Sequence, residues 1–232
     1  MSLGALNSRL LSVAELVRQG AVFADIGTDH AHLPIFLLEE GKIERAVLSD
    51  INEGPLASAR CNCNRAGFSE KVDFFLTDGA AALCDLGITD IAICGMGGEL
   101  IADIIANAPW LKNKELSLIL QPMSKQAHLR RFLAENGFLI KDERYSSEGE
   151  KHYVALLVKY TGECREISDL ESEIGSHFKE YVNKSAQIAY IKGKISAYDK
   201  AYEGKVRGEN SADFEEKMLT ELKNALAILG QN

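Results

Sequence analysis

The sequence predicts a doubly wound α/β fold that gives way near residue 160 to a C-terminal α-helical coiled-coil hairpin. Three observations predict it. The stretch 21–34, AVFADIGTDHAHLP, sets a short β-forming apolar run against a glycine and then an amphipathic run. That is the strand–turn–helix unit that opens such a sheet. Short apolar strands then alternate with helical stretches as far as Tyr160, the pattern of a parallel sheet covered by helices. Beyond Tyr160 the apolar residues recur with a heptad period.

The elements follow in order. Leu6, Leu10, Val13, Leu16 and Val17 share one helical face, which predicts a helix over 3–19 with Gly20 as its C-cap. The first strand covers 21–26, and a helix over 31–40 stops at Gly41. The second strand, 45–49, ends at Asp50. Asn52 is placed to cap the next helix, with Pro55 in its first turn and Gly67 past its end. A third strand, 71–76, leads to Asp78-Gly79. A fourth, 90–94, runs into the glycine loop Gly95-Met96-Gly97-Gly98, with a helix over 99–107 behind it. A fifth, 116–121, leads to Pro122 and a helix over 125–136. Strands over 138–145 and 153–159 have no helix between them, so they form an antiparallel hairpin at the sheet edge.

In the tail, Ile167, Ile174, Tyr181, Ile188, Ile195 and Tyr202 take one seam position. Leu170, His177, Lys184, Ile191 and Tyr198 take the other. This heptad runs for about five repeats and predicts one long helix. Gly204 and Gly208 break it. Phe214, Met218, Leu222, Ala225, Leu226 and Leu229 then mark a second helix that folds back on the first.

The chain has 232 residues, a formal net charge of -8 and a hydrophobic fraction of 46%. No apolar run approaches the roughly 18 residues of a membrane span, and no signal-peptide pattern opens the chain. The five cysteines follow no zinc spacing and read as free thiols in a reducing compartment. A cytoplasmic protein is expected. Both 1–160 and 161–232 are net acidic, so any RNA binding must rest on a local patch.

A dinucleotide site needs G-x-G-x-x-G. Here those places hold Gly27, Asp29 and His32, which disfavours a nicotinamide dehydrogenase. Asp29, Asp50 and Asp78 stand at or near successive strand ends, with Asp25 inside the first strand. Such a crevice repels a pyrophosphate and attracts a cation. S-adenosylmethionine carries a sulfonium, an ammonium and a ribose diol, and no phosphate. Asp50 is placed for the diol, and Asp78-Gly79 lies near the adenine. The competing reading makes these aspartates helix caps and turn formers. The glycine loop lets backbone approach a flat substrate closely. His30-Ala31-His32 does not place two ligands on one helix face, so no metal is expected. Trp110 reads as a core anchor.

Ala24-Asp25-Ile26-Gly27-Thr28-Asp29-His30-Ala31, Ser49-Asp50-Ile51-Asn52, Thr77-Asp78-Gly79, Cys94-Gly95-Met96-Gly97-Gly98-Glu99 and Gln121-Pro122-Met123 resemble one family together. It is the bacterial tRNA (adenine-N1)-methyltransferases that modify adenosine 22 in the D-arm. The resemblance covers the whole chain. It implies a Rossmann-like class I methyltransferase domain over 1–160, a helical coiled-coil domain over 161–232, S-adenosylmethionine as cofactor and tRNA as substrate.

The candidate cofactor-binding residues are Gly27, Thr28, His30, Leu33, Asp50, Ile51, Asn52, Asp78, Gly79, Gly95 and Met96. The candidate substrate-binding residues are Gly97, Gly98, Gln121, Pro122, Lys184, Lys192 and Lys194. Asp29 is the candidate catalytic residue, a carboxylate facing an adenine ring whose charge turns positive as N1 is methylated. The expected assembly is a monomer or weak dimer. The alternatives are a non-catalytic RNA adaptor with the same fold and, for the tail, a dimerisation coil.

Overall fold

Seven strands form one sheet in the order β3-β2-β1-β4-β5-β7-β6. The structure is a computed structural model and describes residues 6–176 and 183–231. The strands are β1 (Ala21–Ile26), β2 (Ile43–Asp50), β3 (Val72–Leu76), β4 (Asp90–Gly97), β5 (Ser117–Ser124), β6 (Phe138–Glu148) and β7 (Lys151–Tyr160). The helices are α1 (Ser8–Leu16), α2 (His32–Glu39), α3 (Glu53–Ala66), α4 (Gly98–Ala106), α5 (Gln126–Glu135), α6 (Asp169–Ile174), α7 (Lys184–Arg207) and α8 (Asp213–Gln231). β1 to β5 pair in parallel. β7 is antiparallel to both β5 and β6, which makes the expected edge hairpin. The strand order reverses at β1, so the crevice at its carboxyl end is where a doubly wound sheet binds ligands.

Period-2 side chains divide the core between the two faces of the sheet. Phe23, Ala46, Leu48, Ala92 and Ile119 pack with α1, α2 and α3 on one face. Ala24, Ile26, Val47, Ile91, Ile93, Leu118 and Leu120 pack with α4 and α5 on the other. Tyr190 and Ile191 of α7 and Met218 and Leu222 of α8 join that second cluster. The apolar core therefore runs without a break from the sheet into the C-terminal helices.

Several boundaries differ from the sequence reading. α1 ends at Leu16 with Val17 as its C-cap, so Gly20 caps nothing and instead turns the chain at φ 73. β4 continues through the stretch read as a glycine loop. Gly95, at φ 79, sits where its pairing with β5 shifts register, a β-bulge.

The tail is not one heptad helix. α6 stops at Gly175, whose φ of 78 closes the helix in a conformation that suits glycine. His177 and Tyr181 of the heptad seam lie outside the described residues. The hairpin itself is present. Lys205 pairs with Glu215 at 2.9 Å and Lys223 with Asp199 at 3.8 Å, the order of an antiparallel pair.

One buried ion pair fastens this tail. Arg130 of α5 and Glu143 of β6 are 1% and 0% exposed and meet at 3.0 Å. Arg130 also donates to the carbonyls of Ser172 and Glu173, and the Tyr145 hydroxyl donates to that of Ile174. These are carbonyls of the last turn of α6, which have no partner within their own helix. Glu143→Gln keeps the shape but leaves Arg130 uncompensated. It is expected to cost about 3–5 kcal/mol of unfolding free energy. Arg207→Ala, at an exposed pair with Glu203, is expected to change little. Urea titration of both variants measures the difference.

Candidate active site

Gly27 ends β1 at φ 76, a backbone conformation open to glycine at little cost. Its N–H and that of Thr28 both donate to the Ser49 carbonyl, at 2.8 and 3.0 Å. The turn after β1 is thereby tied to the end of β2, next to Asp50. A Cβ on Gly27 would lie 2.1 Å from the Met96 methyl carbon, so Met96 lies directly over this turn.

Two cavities open at the strand ends and meet at Gly27. One, of about 300 Å³, is lined by Arg9, Leu10, Asp25, Thr28, Asp29, His30, Ala31, His32, Leu33, Cys94 and Gly95. The other, of about 380 Å³, is lined by Ile26, Ser49, Asp50, Ile51, Asn52, Thr77, Asp78, Gly79, Met96, Leu100 and Ile104.

Asp25 is the buried carboxylate of the first cavity. Burial raises its pKa from 3.8 to about 6, the Thr28 hydroxyl opposes that shift, and the charge of Asp50 adds to it. In the second cavity one Asp50 oxygen accepts the Asn52 N–H at 2.7 Å. The buried hydroxyl of Ser49 has no hydrogen-bond partner among the described residues.

The structure brings every candidate cofactor residue to these two cavities. Asp29 is 78% exposed and lies 3.5 Å from the His30 ring nitrogen. It does not cap α2, whose N-cap position is Ala31 in the left-handed region at φ 55. The competing reading of Asp29 as a helix cap therefore falls.

The candidate substrate residues are more scattered. Gln121 is fully buried and Pro122 is buried beside it. Gly98 is buried, with the Lys125 carbonyl oxygen standing where a Cβ would need room, and Gly97 pairs with Ser124 in the sheet. None of these four lines either cavity. The exposed apolar side chains beside them are Met123 and Leu100, at 42% and 51%.

Lys194 is turned inward. Its ammonium is 2.8 Å from Glu173 and 3.2 Å from the Gln126 amide oxygen, so that charge is already used. Lys192 is exposed and Lys184 half-exposed.

Sequence reasoning passed over Arg9 and gave Asp25 no role. Asp25 had a signal, a lone charge in an otherwise apolar strand. Arg9 had none, because its partner Gln121 is remote in the chain.

The donor set fits S-adenosylmethionine. Asp25 is a carboxylate for an ammonium group, and Asp50 an acceptor for a ribose diol. The orphaned Ser49 hydroxyl offers a further polar contact, and Gly27 leaves room where a side chain would intrude.

Comparison with known proteins agrees with this geometry. Residues 6–156 match the protein family described as a methyltransferase domain. The Bacillus subtilis (strain 168) tRNA (adenine(22)-N(1))-methyltransferase is 31% identical over 227 residues, covering 97% of this chain and 85% of that one. A Streptococcus pneumoniae protein solved in complex with S-adenosyl-L-methionine is 31% identical, with a TM-score of 0.83 over 96% of this chain and 100% of that one. M. capricolum TrmK, solved with the cofactor product S-adenosyl-homocysteine, is 27% identical. Its TM-score is 0.73 over 98% of this chain and 97% of its own.

The raised pKa of Asp25 makes stability depend on pH with a definite sign. Between 3.8 and about 6 the folded chain keeps a proton that the unfolded chain has lost. Stability therefore falls as pH rises through that window, by roughly 3 kcal/mol in all. Cofactor-free Asp25→Asn is expected to melt above the wild type near pH 7.5. That advantage should vanish below about pH 4, where the carboxyl is protonated in both states. Melting curves across the window check this, and a pH-independent difference would exclude the carboxylate as its source.

Proposed function

We infer the reaction from one premise: the chain belongs to the tRNA (adenine(22)-N(1))-methyltransferase family. It transfers a methyl group from S-adenosylmethionine to N1 of adenosine 22 in tRNA. The observation that carries this reading is the pair of cavities meeting at Gly27, lined by Asp25, Asp29, Asp50 and Asp78 at the topological switch point of the sheet.

When bound, S-adenosylmethionine supplies an electrophilic methyl carbon on a sulfonium. Adenine N1 attacks with an in-ring lone pair, so the chain has no proton to remove first. Transfer of that methyl would leave the positive charge on the adenine ring, where the Asp29 carboxylate would face it. What the chain must supply is alignment of three atoms and a pocket that takes the extruded base.

The roles of individual residues belong to the same proposal. Asp50 holds the ribose diol, Asp78 and Gly79 border the adenine, and Asp25 faces the methionine ammonium. Asp29 stands at the mouth of the first cavity, where a carboxylate faces the acceptor ring as its charge grows. Residues 1–160 hold the cofactor, and the C-terminal hairpin helps to hold tRNA through the Lys184 and Lys192 side of α7. The cytoplasm, where tRNA is modified, is the proposed compartment.

Mass-spectrometric mapping of an adenosine-22 tRNA transcript after incubation with enzyme and cofactor tests the reaction. A transcript that stays unmethylated at N1 of that nucleotide would refute it. Asp29→Asn removes only charge, so turnover is expected to fall at least about tenfold, or roughly 1.4 kcal/mol of barrier. Its cofactor affinity should change little. Asp50→Ala should show the reverse pattern, with weak calorimetric cofactor binding as its main defect.

The tail is tested on the intact chain, because α7 and α8 share the apolar core of the sheet. Replacing Lys184 and Lys192 by Ala is expected to weaken tRNA binding. The salt slope of the affinity should fall by about 1 for each phosphate that no longer meets a lysine. An unchanged slope would leave the hairpin without an RNA role.

A further inference from the structure

We propose that Arg9 is a positioning residue for methyl transfer, acting through Gln121 on the β-bulge at Gly95 that aims Met96. This deepens the methyltransferase reading and rests on it. At the bulge the β4–β5 pairing shifts register on both sides of Met96. The Gly95 N–H donates instead to the Gln121 side-chain oxygen at 3.2 Å. That same oxygen accepts from the Arg9 guanidinium at 2.6 Å.

Two donors on one oxygen fix which way the amide of a fully buried glutamine faces. The amide nitrogen is held only loosely, at 3.4 Å from the Pro122 carbonyl and 3.6 Å from the Met123 sulfur. Arg9 is therefore the group that orients Gln121. Arg9 is itself located twice over. Its backbone N–H donates to Glu148 at 3.0 Å, and its guanidinium lies 5.9 Å from the centre of the Tyr153 ring.

The consequence falls on Met96. Its methyl carbon covers Gly27 where the two cavities meet, the place through which cofactor and acceptor must be lined up. A bulge re-aims the side chain that follows it, and a small misplacement there acts on rate more than on binding. Helix α1 is in this way joined to the chemistry without supplying a reacting group.

Arg9→Met, Gln121→Met and the double variant test the proposal. Each single change is expected to lower kcat on tRNA at least tenfold. KM for tRNA and Kd for S-adenosylmethionine should stay within threefold. The double variant should fall no more than about twofold below the worse single, because both changes cut one chain of contacts.

Hydrogen exchange at the Gly95 amide, measured without substrate, should speed up in Arg9→Met. Arg9 is only half-buried, so this variant serves even where the Gln121 variants fold poorly. The exchange readout also stands apart from catalysis: a wild type that fails to methylate tRNA counts against the reaction, and unchanged Gly95 exchange counts against Arg9. Three results would overturn the proposal: unchanged exchange, defects that multiply in the double variant, or an Arg9→Met defect confined to cofactor affinity.

Discussion

Two backbone donors share one acceptor at the centre of this molecule. The N–H groups of Gly27 and Thr28 both end on the carbonyl of Ser49. The turn can present both because Gly27 takes a positive φ. This contact ties the exit of β1 to the exit of β2, so Thr28, Asp29 and Asp50 hold fixed places around one crevice. The sheet order reverses at the same strand, which keeps neighbouring helices from closing over it. Met96 reaches the turn from the other side, from a bulge in β4. Positions from three strand ends are thus referred to one peptide turn.

The electrostatics of that crevice run against the stability of the empty protein. Asp25 is buried, and its charge is disfavoured by desolvation and by Asp50. A carboxylate kept in such a place destabilises the chain near neutral pH and attracts a cationic ligand for the same reason. A sulfonium with an ammonium group relieves the unfavourable charge on binding. A pyrophosphate would worsen it. The family to which the chain belongs uses a cofactor of the first kind, and the missing glycines of the dinucleotide motif agree with the charge argument.

The C-terminal helices are fastened to the sheet by a different kind of contact. Arg130 and Glu143 form a buried pair that turns its remaining donors to the end of α6. Lys194 spans from Glu173, at the end of α6, to Gln126, at the start of α5. The hairpin is consequently tied to both α5 and α6.

Local chemistry let the sequence by itself determine most of this protein. Apolar periodicity marked all seven strands, Gly27 marked the turn, and aspartates at successive strand ends marked a cationic cofactor. Each of these signals lies within a few residues of the feature it predicts. The tertiary structure decided what depends on partners remote in the chain. Gln121 reads as a substrate contact in sequence, yet it is buried as a strut between Arg9 and Gly95. Lys194 reads as an RNA-facing cation, yet it is spent on Glu173. The heptad reads as one helix because apolar spacing survives a break, and Gly175 ends α6 through a positive φ that spacing does not record. Side-chain ion pairs and bulges join residues by position in space, and the linear pattern carries no trace of them.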